Sequence, residues 1–144
     1  VILDTNVYID HWEQGLHGEV LAEVRREFVV RHSAVVLSEL RRGARSRRAQ
    51  RLVESLYRIA SVIWEPTSRD WWEAARLIRE LGDDQGWDRA KRREFQNDAL
   101  IALTARRQGA AVVTDNEGDF RLLAKRLRIV VIAVREPPDP AGRA

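Results

Sequence analysis

Glu39 and Asp98 are the residues whose surroundings explain them least. Glu39 interrupts an apolar stretch, between Val35-Val36-Leu37 and Leu40. Asp98 lies within the run Phe95 to Ala105. At roughly 100° per residue on a helix, it falls between Ala102 and Ala105, on the small-residue face that also carries Phe95 and Ala99. A carboxylate on a face that packs this closely must be paired or neutralised, because burying it bare is expensive. An Arg can do this by forming an ion pair. Alternatively, several carboxylates converge and a cation neutralises them. Asp4, Asp115 and Asp119 are the further acids available for that arrangement. Each alone is also an ordinary turn or cap residue, and Asp119 at a helix start would suit the helix dipole. Carboxylates and waters are the ligands of hard cations such as Mg²⁺ and Mn²⁺. An ion held this way generates a nucleophile from water and stabilises charge on a phosphodiester.

The elements that must position these acids alternate between short apolar strands and helices. Val1-Ile2-Leu3 reads as a buried strand stopped by Asp4-Thr5-Asn6, which supplies a turn and a cap. Helices are expected over 7–13, after Gly15 with Val20, Leu21 and Val24 on one face, over 34–42 between Ser33 as cap and Gly43 as stop, and over 46–60. Phe28-Val29-Val30 and Val62-Ile63-Trp64 read as strands. An amphipathic helix over 68–81 has Trp71, Ala74, Ala75 and Ile78 in step, and Gly82-Asp83-Asp84-Gln85-Gly86 reads as the clearest loop. A long helix over 87–108 ends at Gly109. The strand 111–114, the loop 115–118, the helix 119–127 and the strand 129–132 follow, and residues 136–144, with three prolines, form a tail. This order predicts an α/β fold with a central, mainly parallel sheet flanked by helices on both faces. Function in such sheets collects beyond the carboxyl ends of the strands, where Asp4 and Asp115 stand.

Composition narrows the chemistry. The chain has 144 residues, 44% hydrophobic and 33% charged, which suits one globular domain. No apolar run is long enough to cross a bilayer and no signal-peptide pattern opens the chain, so a soluble, cytoplasmic protein is expected. The chain opens at Val1 inside an apolar run and contains no Met, so a start residue is expected to be missing from it. The absence of cysteine excludes disulfides, a thiol nucleophile and thiolate zinc sites. His11, His17 and His32 show no metal-ligand spacing, which argues against a histidine-based site. Residues 83–88 fail the calcium-loop pattern, and no phosphate-binding or dinucleotide glycine motif is present. Trp12, Trp64, Trp71, Trp72 and Trp87 are expected in the core or at subunit contacts rather than stacked on bases. The net charge is only +3, but Arg41, Arg42, Arg45, Arg47, Arg48 and Arg51 fall within eleven residues. Arg89, Lys91, Arg92 and Arg93 form a second cluster. Either cluster suits phosphate contacts or a plain solvated helix face.

Four segments, taken in order, resemble the motifs of PIN-domain ribonucleases, and especially the VapC-type toxins of type II toxin–antitoxin pairs. They are Asp4-Thr5-Asn6, Ser38-Glu39-Leu40-Arg41-Arg42-Gly43, Asn97-Asp98-Ala99-Leu100-Ile101-Ala102 and Thr114-Asp115-Asn116-Glu117-Gly118-Asp119-Phe120. The resemblance covers nearly the whole chain and implies a PIN-like fold over residues 1–135, followed by the Pro-rich tail 136–144. It implies an Mg²⁺- or Mn²⁺-dependent endoribonuclease with Asp4 and Asp98 as metal ligands. Glu39 would complete the acidic cluster, through a water or as base. Asp119, Asn116 and Thr114 match the acid, amide and hydroxyl of the last motif, and Asp115 is an additional acid that helps or merely turns the chain. The implied partners are an RNA substrate, a cognate VapB-like antitoxin and a second copy of the chain, with no membrane. Arg41, Arg42 and Arg45 are candidate RNA contacts. Two other readings compete with this one. A receiver-like phosphoryl-accepting signalling domain also places Asp residues at strand ends, but it needs a Lys at a strand end, and Lys91 and Lys125 both fall in helical stretches. A catalytically silent PIN-like module that binds RNA or protein would not need acids in all four motifs.

Overall fold

The computed structural model describes residues 1–134. Its framework is a set of short parallel strands with the most apolar one at the centre. Strand β1 (Ile2–Leu3) is buried on both faces and pairs in parallel with β4 (Val112–Thr114), Ile2 lying opposite Val112. β4 in turn pairs with β5 (Val131–Ala133), giving the order β1-β4-β5. On the other side, β2 (His32–Ser33) pairs with β3 (Ile63–Trp64), and a single parallel bridge between Ile2 and Arg31 joins this pair to β1. Every strand pairing among the described residues is parallel, so each connection crosses over through helices.

The helices are α1 (Thr5–Gln14), α2 (Gly18–Glu27), α3 (Ala34–Gly43), α4 (Arg47–Ile59), α5 (Ser68–Gln85), α6 (Arg89–Gln108) and α7 (Glu117–Leu127). Several start on side-chain caps written into the sequence. Asp4, Ser33, Ser46, Thr67 and Asp88 each accept a hydrogen bond from a backbone N–H of the first turn. Helix α6 runs through the core. Phe95 and the stretch from Ala99 to Ala105 are almost wholly buried, which requires partners all round the helix. Thr104 tolerates this burial because its hydroxyl donates to the Leu100 carbonyl at 2.8 Å. Among the described residues no helix is long and apolar enough to cross a membrane.

The structure revises several expectations. The loop expected at 82–86 is the last turn of α5, which ends only at Gly86 in a left-handed cap. Isolated Gly and Asp disfavour helix, but here the Arg92 guanidinium lies against Gly82, where a β-carbon would come within 2.7 Å of Arg92 Cζ. The same guanidinium donates to Asp83 Oδ1 at 3.1 Å and to the Trp87 carbonyl at 3.0 Å. A contact from the following helix therefore holds the turn. The buried face of α5 is also rotated from the one expected: Ala74, Leu77 and Leu81 face inwards, while Trp71 and Trp72 are 49% and 79% exposed. Trp12, Trp64 and Trp87 pack partly buried against the core, as expected. Phe28-Val29-Val30 is not a strand. Pairing begins at Arg31 and continues through His32 and Ser33, leaving Phe28 and Val29 exposed beyond the ladder. Gly43 is the last residue of α3 rather than a left-handed stop, and Ala44 ends the helix in an extended conformation. Helix α7 starts at Glu117, so the loop after β4 shrinks to Asp115 and Asn116. The tail expected over 136–144, with its boundary, lies outside the described residues.

Candidate metal and active site at the strand ends

Asp4 leaves β1 and caps α1, and these two roles fix its carboxylate. Its backbone N–H donates to the Val113 carbonyl at 2.8 Å, which continues the pairing with β4. Oδ1 accepts from the Thr5 N–H at 2.8 Å, and Oδ2 accepts from the Thr114 hydroxyl, also at 2.8 Å. The residue is only 3% exposed. Burial pushes its carboxyl up to about 6 despite those two hydrogen bonds, with repulsion from Glu39 and Asp115 adding to the effect.

Glu39 on α3 and Asp98 on α6 face the same place from the neighbouring helices. The Thr5 hydroxyl donates to Glu39 Oε1 at 3.0 Å. Asp98 is pushed up to about 8, first by burial and then by the charges of Asp4, Asp119 and Glu39, while Lys91 pulls it down. Asn116 bridges two acids: its side-chain amide donates to Asp98 Oδ2 and to Asp119 Oδ2, each at 3.2 Å. Its own backbone N–H donates to the Thr114 hydroxyl at 2.9 Å. Thr114 thus passes a hydrogen bond from the Asn116 backbone to Asp4. Asp119, in the first turn of α7, accepts from Lys91 Nζ at 2.6 Å. The lysine also lies over the Trp87 ring, 5.4 Å from its centroid.

The structure therefore brings Asp4, Glu39, Asp98, Asp119, Asn116 and Thr114 into one hydrogen-bonded and electrostatically coupled group. The pairing of Asp98 with an Arg, one of the two solutions open to the sequence, is not what the structure builds. An amide contacts Asp98, and the nearby cation is Lys91. Asp115 faces His17, with Oδ2 3.8 Å from His17 Nε2, while its charge still reaches Asp4. Arg41, Arg42 and Arg45 are exposed, and Arg41 approaches Glu54 at 3.6 Å. Sequence reasoning missed two members of the site. Thr5 reads locally as part of a turn, although its β-hydroxyl beside Asp4 was the available signal. Lys91 reads as one of a cationic run, and nothing local marks it as the partner of a residue on α7.

Histidine also behaves differently from its sequence spacing. Asp10, His17 and Asp115 each offer a ligand atom, all within 4.8 Å of one another, a group that could hold a divalent ion. The three residues come from α1, the turn after it and the loop after β4, so no linear motif could show them. The acids at the strand ends offer oxygen donors only, held in place by hydroxyls and an amide. That donor set fits Mg²⁺ or Mn²⁺, because crowded carboxylates with raised affinity for protons are relieved by a hard cation.

The α/β fold with this site at its strand ends is one that sequence comparison recognises: the PIN domain profile matches residues 1–126, and the chain belongs to the PIN domain family. Solved structures share the fold at low identity. VapBC2 from Rickettsia felis, bound to a DNA fragment from its promoter, aligns at 18% identity with a TM-score of 0.63, covering 93% of this chain and 98% of the other. FitAcB from Neisseria gonorrhoeae aligns at 20% identity and TM-score 0.63, covering 91% and 95%. VapBC-1 from nontypeable Haemophilus influenzae aligns at 19% identity and TM-score 0.65, covering 92% and 96%. No curated protein sequence matches the chain.

Proposed function

We propose that this chain is a metal-dependent endoribonuclease, the toxin of a toxin–antitoxin pair, that hydrolyses RNA phosphodiester bonds. The observation that carries this reading is the gathering of Asp4, Glu39, Asp98 and Asp119 at the strand ends, with Asp4 and Asp98 both holding protons well above the usual carboxylate range. Asp4 and Asp98 would hold Mg²⁺ or Mn²⁺, with Asp119 completing the acidic wall. A divalent ion bound there would make water more acidic and offset charge on the phosphate. Glu39, held by Thr5, positions the attacking water and accepts its proton. Thr114 and Asn116 fix the carboxylates in place before substrate arrives. Lys91 holds Asp119 and limits the negative charge that an incoming phosphate meets. Attack by water rather than by the ribose 2′-hydroxyl leaves a 5′-phosphate and a 3′-hydroxyl. Arg41, Arg42 and Arg45 supply phosphate contacts beyond the reacting bond.

The partners proposed are a VapB-like antitoxin and a second copy of the chain. The likeness to VapBC2, FitAcB and VapBC-1 supports a toxin–antitoxin role. Exposed apolar side chains support a protein partner as well: Tyr57 and Ile59 on α4 are 63% and 79% exposed. The decisive assay follows cleavage of a single-stranded RNA with Mg²⁺ or Mn²⁺ and then with EDTA, in the native chain and in Asp98→Asn. Cleavage that needs metal and is lost in the variant supports the reading. Cleavage that survives EDTA, or no cleavage at all by the metal-loaded native chain, overturns it.

A further inference from the structure

The group formed by Asp10, His17 and Asp115 takes no part in the chemistry proposed above. His17 Nε2 lies 3.5 Å from Asp10 Oδ2 and 3.8 Å from Asp115 Oδ2. The His17 side chain is only 4% exposed, yet among the described residues its Nε2 is the buried side-chain polar atom with no hydrogen-bond partner. Both separations are too long for a hydrogen bond. Leaving such an atom unpaired is a cost that native interiors rarely accept.

The same separations suit ligands that share an ion. Donor atoms placed about 2.1 Å from a tetrahedral ion stand roughly 3.4 Å from one another. Around octahedral Mg²⁺ neighbouring donors come closer, to about 3.0 Å. One imidazole nitrogen with two carboxylate oxygens is a mixed donor set, which suits Zn²⁺ and the neighbouring first-row ions better than Mg²⁺. His17 is left-handed, with φ of 63°, and precedes α2 without capping it by a side-chain hydrogen bond. We propose that Asp10, His17 and Asp115 form a second metal site, distinct from the acids at the strand ends, that takes a tetrahedral transition-metal ion of the Zn²⁺ type with water as its fourth ligand. The ion ties the α1–α2 turn to the loop after β4, where Asp115 is flanked by Thr114 and Asn116 of the acidic group. It thereby braces that loop and takes no part in bond cleavage. This site stands on its own geometry, whatever the chain does to RNA.

The test uses the full chain with Asp4→Asn and Asp98→Asn together, which disables the acidic group, and titrates it with Zn²⁺ and with Co²⁺ as a coloured substitute. One equivalent of Co²⁺ should bind with the visible absorption of a tetrahedral site, and Zn²⁺ should displace it. Adding His17→Gln should abolish that absorption and weaken binding by more than the roughly tenfold to hundredfold that loss of an outer-shell partner costs. Asp10→Asn should weaken it in the same direction and serves as the second variant should His17→Gln fold poorly. In the chain with His17 intact, Zn²⁺ should also shift the imidazole ¹⁵N resonances of His17 and leave those of His32 in place. The proposal is overturned if the doubly substituted chain binds no Co²⁺, if binding and absorption survive in His17→Gln or Asp10→Asn, or if the His17 resonances do not move.

Discussion

The acids at the strand ends and the Asp10–His17–Asp115 group share the short loop after β4, Asn116 serving one and Asp115 facing the other, yet they manage charge differently. In the first, hydroxyls, an amide and a lysine meet the carboxylates at 2.6–3.2 Å, so the oxygen atoms are aimed before any ligand arrives. In the second, the ring nitrogen stands 3.5 and 3.8 Å from its two carboxylates, beyond hydrogen-bond reach of either. The contrast separates two ways of preparing a cation site. One locks acids into position, where burial first and mutual repulsion second raise their proton affinity, while the other leaves the ligands at the spacing a shared ion would set.

The largest expected effect distinguishes the groups by activity. Asp98→Asn should lower RNA cleavage by orders of magnitude, whereas His17→Gln should leave the chemical step at the strand ends in place. In EDTA at neutral pH, Asp98→Asn should match or exceed the native chain in unfolding free energy, because the buried native carboxyl must take up a proton to fold there and the amide need not. A loss of about 3–5 kcal/mol in that measurement would mean that Asp98 is held by a buried cation, and its place in the acidic group would have to be withdrawn.

Next comes the pH dependence of the metal-free chain. Asp98 ionises near its ordinary 3.8 when unfolded and at about 8 when folded, so the folded state keeps a proton that the unfolded state has lost. Stability should therefore fall as pH rises from about 4 to about 8, and Asp4 should add to the fall between about 4 and 6. Where the two states differ by one bound proton, each pH step of one costs about 1.4 kcal/mol, so the combined change is several kcal/mol. Asp98→Asn should remove much of it. Denaturant titrations in EDTA across that range provide the check. A flat profile would show that neither burial nor repulsion raises the proton affinity of the strand-end acids.

Thermal unfolding sharpens the comparison further. Mg²⁺ or Mn²⁺ at millimolar concentration should raise the melting temperature of the native chain. Most of that shift should vanish in Asp4→Asn and in Asp98→Asn, and it should persist in His17→Gln. An unchanged native melting curve would count heavily against the strand-end site. The smallest effect concerns the exposed arginines. Replacing Arg41, Arg42 or Arg45 by Gln should flatten the salt dependence of RNA binding by roughly one ion per lost phosphate contact, with little change in melting temperature. Salt slopes that do not move would assign these side chains to solvent or to a protein partner.

What the sequence made legible was whatever local chemistry decides. The caps at Asp4 and Ser33 and the apolar strands β1, β3, β4 and β5 could be read directly, because a cap bonds within its own first turn and a buried parallel strand is continuously apolar. The strand-end acids were legible for the same reason, together with the four ordered motifs. What escaped depends on residues distant in the chain. Gly82 to Gln85 is helical because Arg92 covers Gly82, and the inward face of α5 is set by what it packs against. Lys91 reaches Asp119 across 28 positions, and His17 meets an acid of the loop after β4. No periodicity within a single segment carries that information.

The bond from Thr114 to Asp4 spans 110 positions, and the strand before Asp4 is held by β4 from just as far away. Closing so long a loop costs entropy before any contact repays it, which makes such pairings late events in folding. On a ribosome adding roughly 5–20 residues per second, β1 waits roughly 5–20 seconds for its neighbour to be made. Until β4 leaves the exit tunnel, Asp4 has neither its hydroxyl partner nor Asn116 nearby. A chain that stops short of β4 therefore carries Asp4, Glu39 and Asp98 without the arrangement, and any activity lodged in them begins only after β4 and the start of α7 have been made.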